Sequence, residues 1–283
     1  MTVIAGSAAV VTGAANGIGE ALCRELVERG CDVALVDIDR DNLERLAAEF
    51  STHSDRRVTI HVVDVADKAQ MTAFSEAVLQ AHPTLNILIN NAGVALYGVS
   101  DEIDIDDMEW LININFWGVV YASRLLLPHL SRQREAHIVN VASIFGLIAP
   151  PGQTAYSASK FAVRGFSEAL LHELKVARSS VRLSVVYPSG IRTALAGTAR
   201  VGRNVVDRQR ISTLRQLAER LQNTTPRVAA TQILNAVERN HSRIRVGTGS
   251  VLIDLIQRCL PGSYFTLMGG PLRDIYTVKA EEI

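Results

Sequence analysis

A glycine turn lies between the first apolar run of this chain and its first amphipathic stretch, and it narrows the folds the rest can adopt. Ala8 to Val11 has the character of a short buried strand, and Thr12, Gly13, Asn16, Gly17, Ile18 and Gly19 follow. Ala21, Leu22, Leu26 and Val27 then share one helical face as far as about Glu28. Gly30 ends that helix, and Val33 to Val36 reads as a second buried strand. The alternation continues with a polar helix from about Arg40 to Phe50, a strand from Val58 to Val63, a helix from Lys68 to Ala81 and a strand at Ile87 to Ile89. Recurrence at this spacing predicts an α/β fold, doubly wound, with a mostly parallel sheet and helices on both faces.

The second half repeats the scheme with longer helices. Asp106 to Leu130 predicts a helix closed near Pro128, Ile138 to Val141 a strand, Thr154 to Ala177 a helix, and Val181 to Tyr187 a strand stopped by Pro188. No Pro- or Gly-rich linker divides the halves, so residues 1–283 are read as a single domain. Residues 191–224, poor in apolar drive at their start, read as an excursion able to cover a ligand. A helix from Pro226 to about Glu238 and a strand at Ile244 to Val246 follow; Val251 to Leu260 suits a packed helix or a subunit contact, and the tail from Met268 has no assignment.

Charge and composition remove several function classes. Lys plus Arg equals Asp plus Glu at 29 each, so no global positive field recruits nucleic acid. Cys23, Cys31 and Cys259 lack metal-ligand spacing, the seven histidines are scattered, and no metal site is expected. Met1 to Val11 is apolar but has no basic flank, which favours a strand over a signal peptide. Apolar runs break well short of the roughly 20 residues that span a bilayer. A cytoplasmic protein without membrane association is the expectation.

Polar and small residues cluster after four successive predicted strands. Glycines in the first turn let the backbone approach a pyrophosphate, whose charge suits the amides at a helix start; a purely structural turn or another phosphate ligand is the competing reading. The spacing Gly-xxx-Gly-x-Gly departs from the commoner Gly-x-Gly-xx-Gly. Asp37 ends the second strand, eighteen residues after Gly19, where a carboxylate accepts from ribose hydroxyls and repels a 2′-phosphate. NAD is therefore expected over NADP, and helix capping is the plain alternative for Asp37. Asp64 and Val65 follow the third strand as candidates for the adenine edge, and Asn90, Asn91, Ala92 and Gly93 follow the fourth.

Tyr156 and Lys160 stand four residues apart on one face of a predicted helix. A phenol has a reference pKa near 10, and an adjacent ammonium favours its ionised form. Ser143, thirteen residues earlier at a strand end, is placed by the intervening loop to bond the substrate oxygen. Asn115 either holds a water or kinks its helix as part of a proton path, or is a buried amide satisfied by backbone.

Together these residues resemble the short-chain dehydrogenase/reductase family over roughly residues 6 to 195, a family with a Rossmann-like fold. The Thr12-Gly13-xxx-Gly17-Ile18-Gly19 turn is similar to its cofactor turn, Asn90-Asn91-Ala92-Gly93 to its sheet-stabilising element, and Asn115, Ser143, Tyr156 and Lys160 to its catalytic tetrad. The resemblance implies Tyr156 as acid or base, Ser143 as polariser of the substrate oxygen, and Lys160 as the group that lowers the phenol pKa and binds the nicotinamide ribose. Asn115 would hold a relay water. Pro188, Gly190, Ile191 and Thr193 would contact the nicotinamide carboxamide, although Ser189 interrupts the family's Pro-Gly pair. A homodimer or homotetramer built through the long helices is also implied.

The expected activity is hydride exchange between NAD(H) and a small or medium hydrophobic secondary alcohol or ketone, with Phe145, Leu147, Ile148, Ala95, Leu96 and Tyr97 as candidate pocket walls. The alternatives are an epimerase or dehydratase of the same fold that retains NAD, and a dinucleotide sensor without turnover.

Overall fold

Val10 and Val11 show how the sheet is built, since these neighbours in one strand bury their side chains in different cores. The computed structural model describes residues 1–277. β1 (Ala8–Thr12) leads through α1 (Gly17–Glu28) to β2 (Asp32–Asp37), and α2 (Arg40–His53) leads to β3 (Val58–Val62). Beyond α3 (Lys68–Ala81) come β4 (Leu85–Asn90), a short β5 (Leu96–Tyr97), α4 (Ile105–Ile112), a π-helical turn at Asn113–Trp117 and α5 (Gly118–Leu130). β6 (Ala136–Val141) and a 3-10 turn at Ile144–Gly146 precede α6 (Thr154–Val176) and β7 (Val181–Pro188). A two-residue β8 (Arg200–Val201), α7 (Arg208–Leu221), α8 (Pro226–Glu238) and β9 (Arg243–Val246) follow, and α9 (Ser250–Cys259), α10 (Tyr264–Met268) and α11 (Gly270–Thr277) close the described chain.

Seven strands form one sheet in the order β3-β2-β1-β4-β6-β7-β9, every pairing parallel, so the expected doubly wound architecture is present. Alternating residues fill both faces. Val11, Leu35 and Ile89 pack with Leu22, Leu46 and Ile233 from α1, α2 and α8; Val10, Leu88 and Ile138 pack with Met71, Leu126 and Leu170 from α3, α5 and α6. Truncating any of these leucines to alanine in so closed a core costs about 2–5 kcal/mol. The chain reverses winding between β1 and β4, and the loops leaving their carboxyl ends part in opposite directions. That opening is where an α/β sheet holds a ligand.

Two elements differ from the sequence reading. The helix expected over Asp106 to Leu130 breaks into α4 and α5, because the wider turn at Asn113–Trp117 carries the Gly118 N–H to the Asn113 carbonyl; Pro128 falls inside the last turn of α5 and does not end it. β5 and β8 pair in parallel as a separate two-stranded sheet, tying the loop after β4 to the 191–224 excursion. In α9, Asp254 is fully buried and accepts from Arg243, Arg245 and Arg258, which pins the helix to β9, while Val251, Leu252 and Leu255 stay exposed.

At the amino ends of the strands the chain start is tied down. Thr2 donates its N–H to the Glu238 carbonyl at 3.1 Å, and its hydroxyl lies 2.8 Å from His137 Nδ1 and 2.7 Å from the Asn240 side chain. Among the described residues, no helix is long and apolar enough to cross a membrane.

Candidate active site

The glycine turn wraps on itself so closely that side chains are excluded from it. Gly13 and Gly17 take φ of +66° and +57°, a Cβ on Gly13 would stand 2.8 Å from the Ala92 Cα, and one on Gly19 would overlap the Gly13 carbonyl. Asn91 locks this geometry by donating its side-chain amide to the carbonyls of Thr12 and Gly13, while the Thr12 hydroxyl accepts from the N–H groups of Asn91 and Ala92. α2, α3, α7 and α8 are capped by Asp39, Asp67, Asp207 and Thr225, but Asn16 makes no side-chain cap to α1. The first amides of α1, like those of α4, α6, α9 and α10, carry no side-chain cap, and they stand at the positive end of a twelve-residue helix.

Asp37 lies beside this turn. Its carboxylate accepts from the Ala15 N–H at 3.0 Å and the Asp39 N–H at 3.1 Å, so it orders the turn, and Asp39 rather than Asp37 caps α2. Asp64 accepts from the Ala66 N–H and stays exposed, whereas Val65 is buried against the position of Gly118 in α5. On the far side of the opening, Gly190 turns with φ of +62°, Ile191 enters the core, and the Thr193 methyl would sit 3.3 Å from a Cβ on Gly17. Asp37, Asn16 to Gly19, Ala92, Gly93 and Thr193 therefore gather around the strand ends that precede α1 and α2. The three glycines of the turn and the uncapped helix start fit a dinucleotide pyrophosphate.

The candidate catalytic side chains Tyr156 and Lys160 stand on α6, with Lys160 beside Gly93. Tyr156 and Lys160 both face inward from α6 and are 7% and 4% exposed, and the Lys160 ammonium lies 5.7 Å from the Tyr156 ring centre. Lys160 donates to the Val141 carbonyl at 3.2 Å, the one hydrogen-bond partner of its three N–H groups among the described residues. Burial lowers the Lys160 pKa to about 8 and pushes Tyr156 up to about 12, with the Ser143 hydroxyl pulling the phenol back down through a hydrogen bond and Tyr97 raising it further. Burial thus opposes the phenolate, and a neighbouring positive charge has to offset it. A Cβ on Gly93 would lie 3.1 Å from Asn115 Oδ1 and 3.4 Å from Lys160 Nζ, so the small residue keeps this corner open.

Asn115 is fully buried in the π-helical turn. It accepts from the Val94 N–H at 2.8 Å and donates to the Val94 carbonyl and the Ser159 hydroxyl, so its amide is satisfied. Phe145 meets Tyr156 edge to face with ring centres 6.0 Å apart, and Leu96 packs in the same cluster. Leu147, expected as a pocket wall, is wholly inside the core because the 3-10 turn rotates it beneath the sheet end. Ser159 is not singled out by the sequence; it could be found as the residue one turn from Tyr156 that shares its buried face. No group of three or more metal-ligating side chains occurs among the described residues.

Comparison with known proteins decides the family. Residues 7–204 match the family described as short chain dehydrogenase. The chain belongs to this family. A protein of Mycobacterium tuberculosis strain H37Rv, described as a putative oxidoreductase SadH, is 40% identical over 274 residues, spanning 95% of this chain and 96% of that one. The 3-oxoacyl-[acyl-carrier-protein] reductase FabG of Thermotoga maritima is 33% identical over 67% of this chain and 76% of its own. A short chain dehydrogenase/reductase from Burkholderia phymatum, solved in complex with NAD, superposes with a TM-score of 0.85 at 28% identity over 92% of this chain and 96% of that one. As a short-chain dehydrogenase, the protein is an oxidoreductase whose chemistry is hydride transfer.

Proposed function

We propose that the protein is an NAD-dependent dehydrogenase that interconverts a small or medium hydrophobic secondary alcohol and its ketone. The observation that carries the cofactor choice is Asp37, a carboxylate held at the end of β2 beside the uncapped start of α1. Two of its lone-pair directions serve backbone N–H groups, and the rest suit ribose hydroxyls while opposing a phosphate. Arg40, the first residue of α2, pairs with Glu44 at 3.4 Å and is engaged within its own helix. Thr12, Gly13, Asn16, Gly17, Ile18 and Gly19 cradle the pyrophosphate, Asp64 and Val65 border the adenine, and Asn91, Ala92, Gly93, Pro188, Gly190, Ile191 and Thr193 surround the nicotinamide half.

The dinucleotide, when bound, supplies the hydride acceptor or donor. In the oxidation direction Tyr156 takes the hydroxyl proton while the carbinol C–H bond breaks with both electrons on hydrogen, leaving a carbonyl. Ser143 donates to that oxygen and fixes it against Tyr156. Lys160 holds the nicotinamide ribose with its two uncommitted N–H groups, and its charge offsets the burial that raises the phenol. Asn115 keeps Val94 and the π-helical turn fixed beside Lys160 and orients a relay water there. Phe145, Ala95, Leu96 and Tyr97 furnish an apolar wall, and residues 191–224 cover the substrate, held to that wall by the β5 and β8 pairing.

The whole of residues 1–283 acts as one catalytic domain in this reading. Trp117, stacked on Tyr121 and 41% exposed, and the half-exposed Phe161 lie on the helices that would join copies in a homodimer or homotetramer. Three free thiols, two of them buried, suit a cytoplasmic enzyme. An oxidation screen of the purified protein with NAD and varied secondary alcohols, read by NADH formation, tests the reaction. Dissociation constants for NADH and NADPH test Asp37: NADH is expected to bind at least about tenfold more tightly, and Asp37→Ala should narrow that gap. Tighter NADPH binding would overturn the cofactor assignment.

A further inference from the structure

Beyond β9 the chain returns to the reacting end. The Asp254 cluster fixes α9 to the sheet edge, the Tyr264 hydroxyl then accepts the Ala149 N–H at 3.0 Å, and α11 lies against α7. Leu272, Ile275 and Tyr276 occupy one face of α11 and pack on Tyr97, Val205, Ile211 and Leu214. The Tyr276 hydroxyl donates to the Pro151 carbonyl at 3.2 Å, and its ring takes the Arg210 guanidinium 5.4 Å from its centre, with Arg210 itself paired to Glu102.

Gly152, with φ of +71°, makes the clearest contact. A Cβ there would overlap the Tyr276 hydroxyl, so the tyrosine occupies the space of a side chain four residues before Tyr156. Gly98 and Gln153 pair across the same place, and the next residues back from Gly98 are Tyr97, which touches the Tyr276 cluster, and Leu96, which packs with Tyr156. Tyr276 thus closes the gap between the loop before Tyr156 and the covering helix α7. The family match ends at residue 204, before α7 begins, so this closure is built from the part of the chain outside the family-wide segment.

We propose that Tyr276 is a specificity-determining residue of the site, its ring forming the end wall that limits the length of the apolar substituent on the alcohol or ketone. The inference rests on the redox reading above for the identity of the reacting group. The remote end of the substrate meets Tyr276, Tyr97 and α7, while the reacting carbon stays with Tyr156. A ring removed from that wall lengthens the cleft without touching the proton chemistry, and each added methylene then finds apolar surface instead of a clash.

The test uses the full chain and a series of straight-chain 2-alkanols from 2-butanol to 2-decanol, oxidised with NAD. Tyr276→Ala should raise the ratio of kcat/KM for the longest to the shortest alcohol by about tenfold or more. Tyr276→Phe, which keeps the ring and loses the bond to Pro151, should keep the wild-type ratio. Tyr276→Leu serves if the alanine variant has a lowered Tm. An unchanged ratio in both truncations, or an equal loss at every length, would overturn the proposal and leave Tyr276 a structural latch. Calorimetric dissociation constants for straight-chain carboxamides of matching lengths, measured with NADH present, give a second readout that needs no turnover. If the wild type oxidises no alcohol, the redox reading fails on its own; a length limit in amide binding that moves in the truncations still supports the end wall, and one that does not move overturns it.

Discussion

β6 carries the buried His137 near its start and leads past its end to Ser143 and Lys160, and the two ends are treated in opposite ways. At its start, His137 is fully buried, with Nδ1 against Thr2 and Nε2 2.7 Å from the Ser184 hydroxyl, which in turn donates to the His241 carbonyl. Both ring nitrogens have partners, and burial pushes the pKa down to about 3, so the ring is neutral at any ordinary pH. Past its other end, the Val141 carbonyl takes one N–H of Lys160 and the strand delivers Ser143 to the cleft. The polar groups around His137 are spent on one another, whereas among the described residues Lys160 makes one hydrogen bond and retains bonding capacity. Capacity of that kind is costly in a core and useful in a site, which is how a satisfied network differs from a reactive one.

The sharpest way to break this contrast is Tyr156→Phe, which should lower kcat/KM by about 10²–10⁴ with Tm unchanged. A variant that keeps full turnover would remove the proton role. Lys160→Met comes next, and it sets stability against activity. A lysine whose folded pKa of about 8 lies below its unfolded value near 10.5 destabilises the fold below pH 8, and the penalty disappears as pH rises through that window. The methionine variant should therefore be more stable at pH 7 by up to about 3 kcal/mol in urea unfolding, while losing turnover and cofactor affinity. A destabilised variant would mean that the ammonium is structural.

His137→Ala should do the reverse, costing about 2 kcal/mol by stranding Thr2 and Ser184 while leaving the KM for cofactor and substrate unaltered. A shifted KM would couple the two edges. The acid limb tests His137 separately. Because His137 has a depressed folded pKa, its contribution is present above about pH 6.5 and is lost toward pH 3, with a slope of at most about 1.4 kcal/mol per pH unit. Stability curves of the wild type and the variant should converge over that range, and parallel curves would show that His137 does not titrate on unfolding.

The same contrast explains what could be read from the sequence. Repeated apolar periods give nearly every strand and helix of the main sheet, with α3 matching to the residue and α8 within a residue or so, because both faces of the sheet demand a continuous apolar signal. The Tyr156 and Lys160 pair and the glycine turn were legible because their chemistry depends on local spacing. β5 and β8, two residues each, carry no period, and their pairing depends on a contact across a hundred residues. The π-helical turn follows from Asn115 bonding both backbone groups of Val94, a demand invisible in a run that reads as plain helix. His137 looked like any residue of an apolar strand, and Tyr276 reaches Gly152 from so far along the chain that nothing local announces it.

The ties of Thr2 to Glu238 and Asn240 have a consequence in time. At about 5–20 residues per second, synthesis delivers the acceptors for this first anchor on the order of ten seconds or more after Thr2 itself appears. β1 lies at the middle of the sheet and needs β4 as well as β2, so Thr2 and the strand after it are made well before they are secured. Until then the nascent chain presents an apolar strand beside an unfinished sheet, and its yield in the cell will depend on what shelters Ala8 to Val11 during that wait.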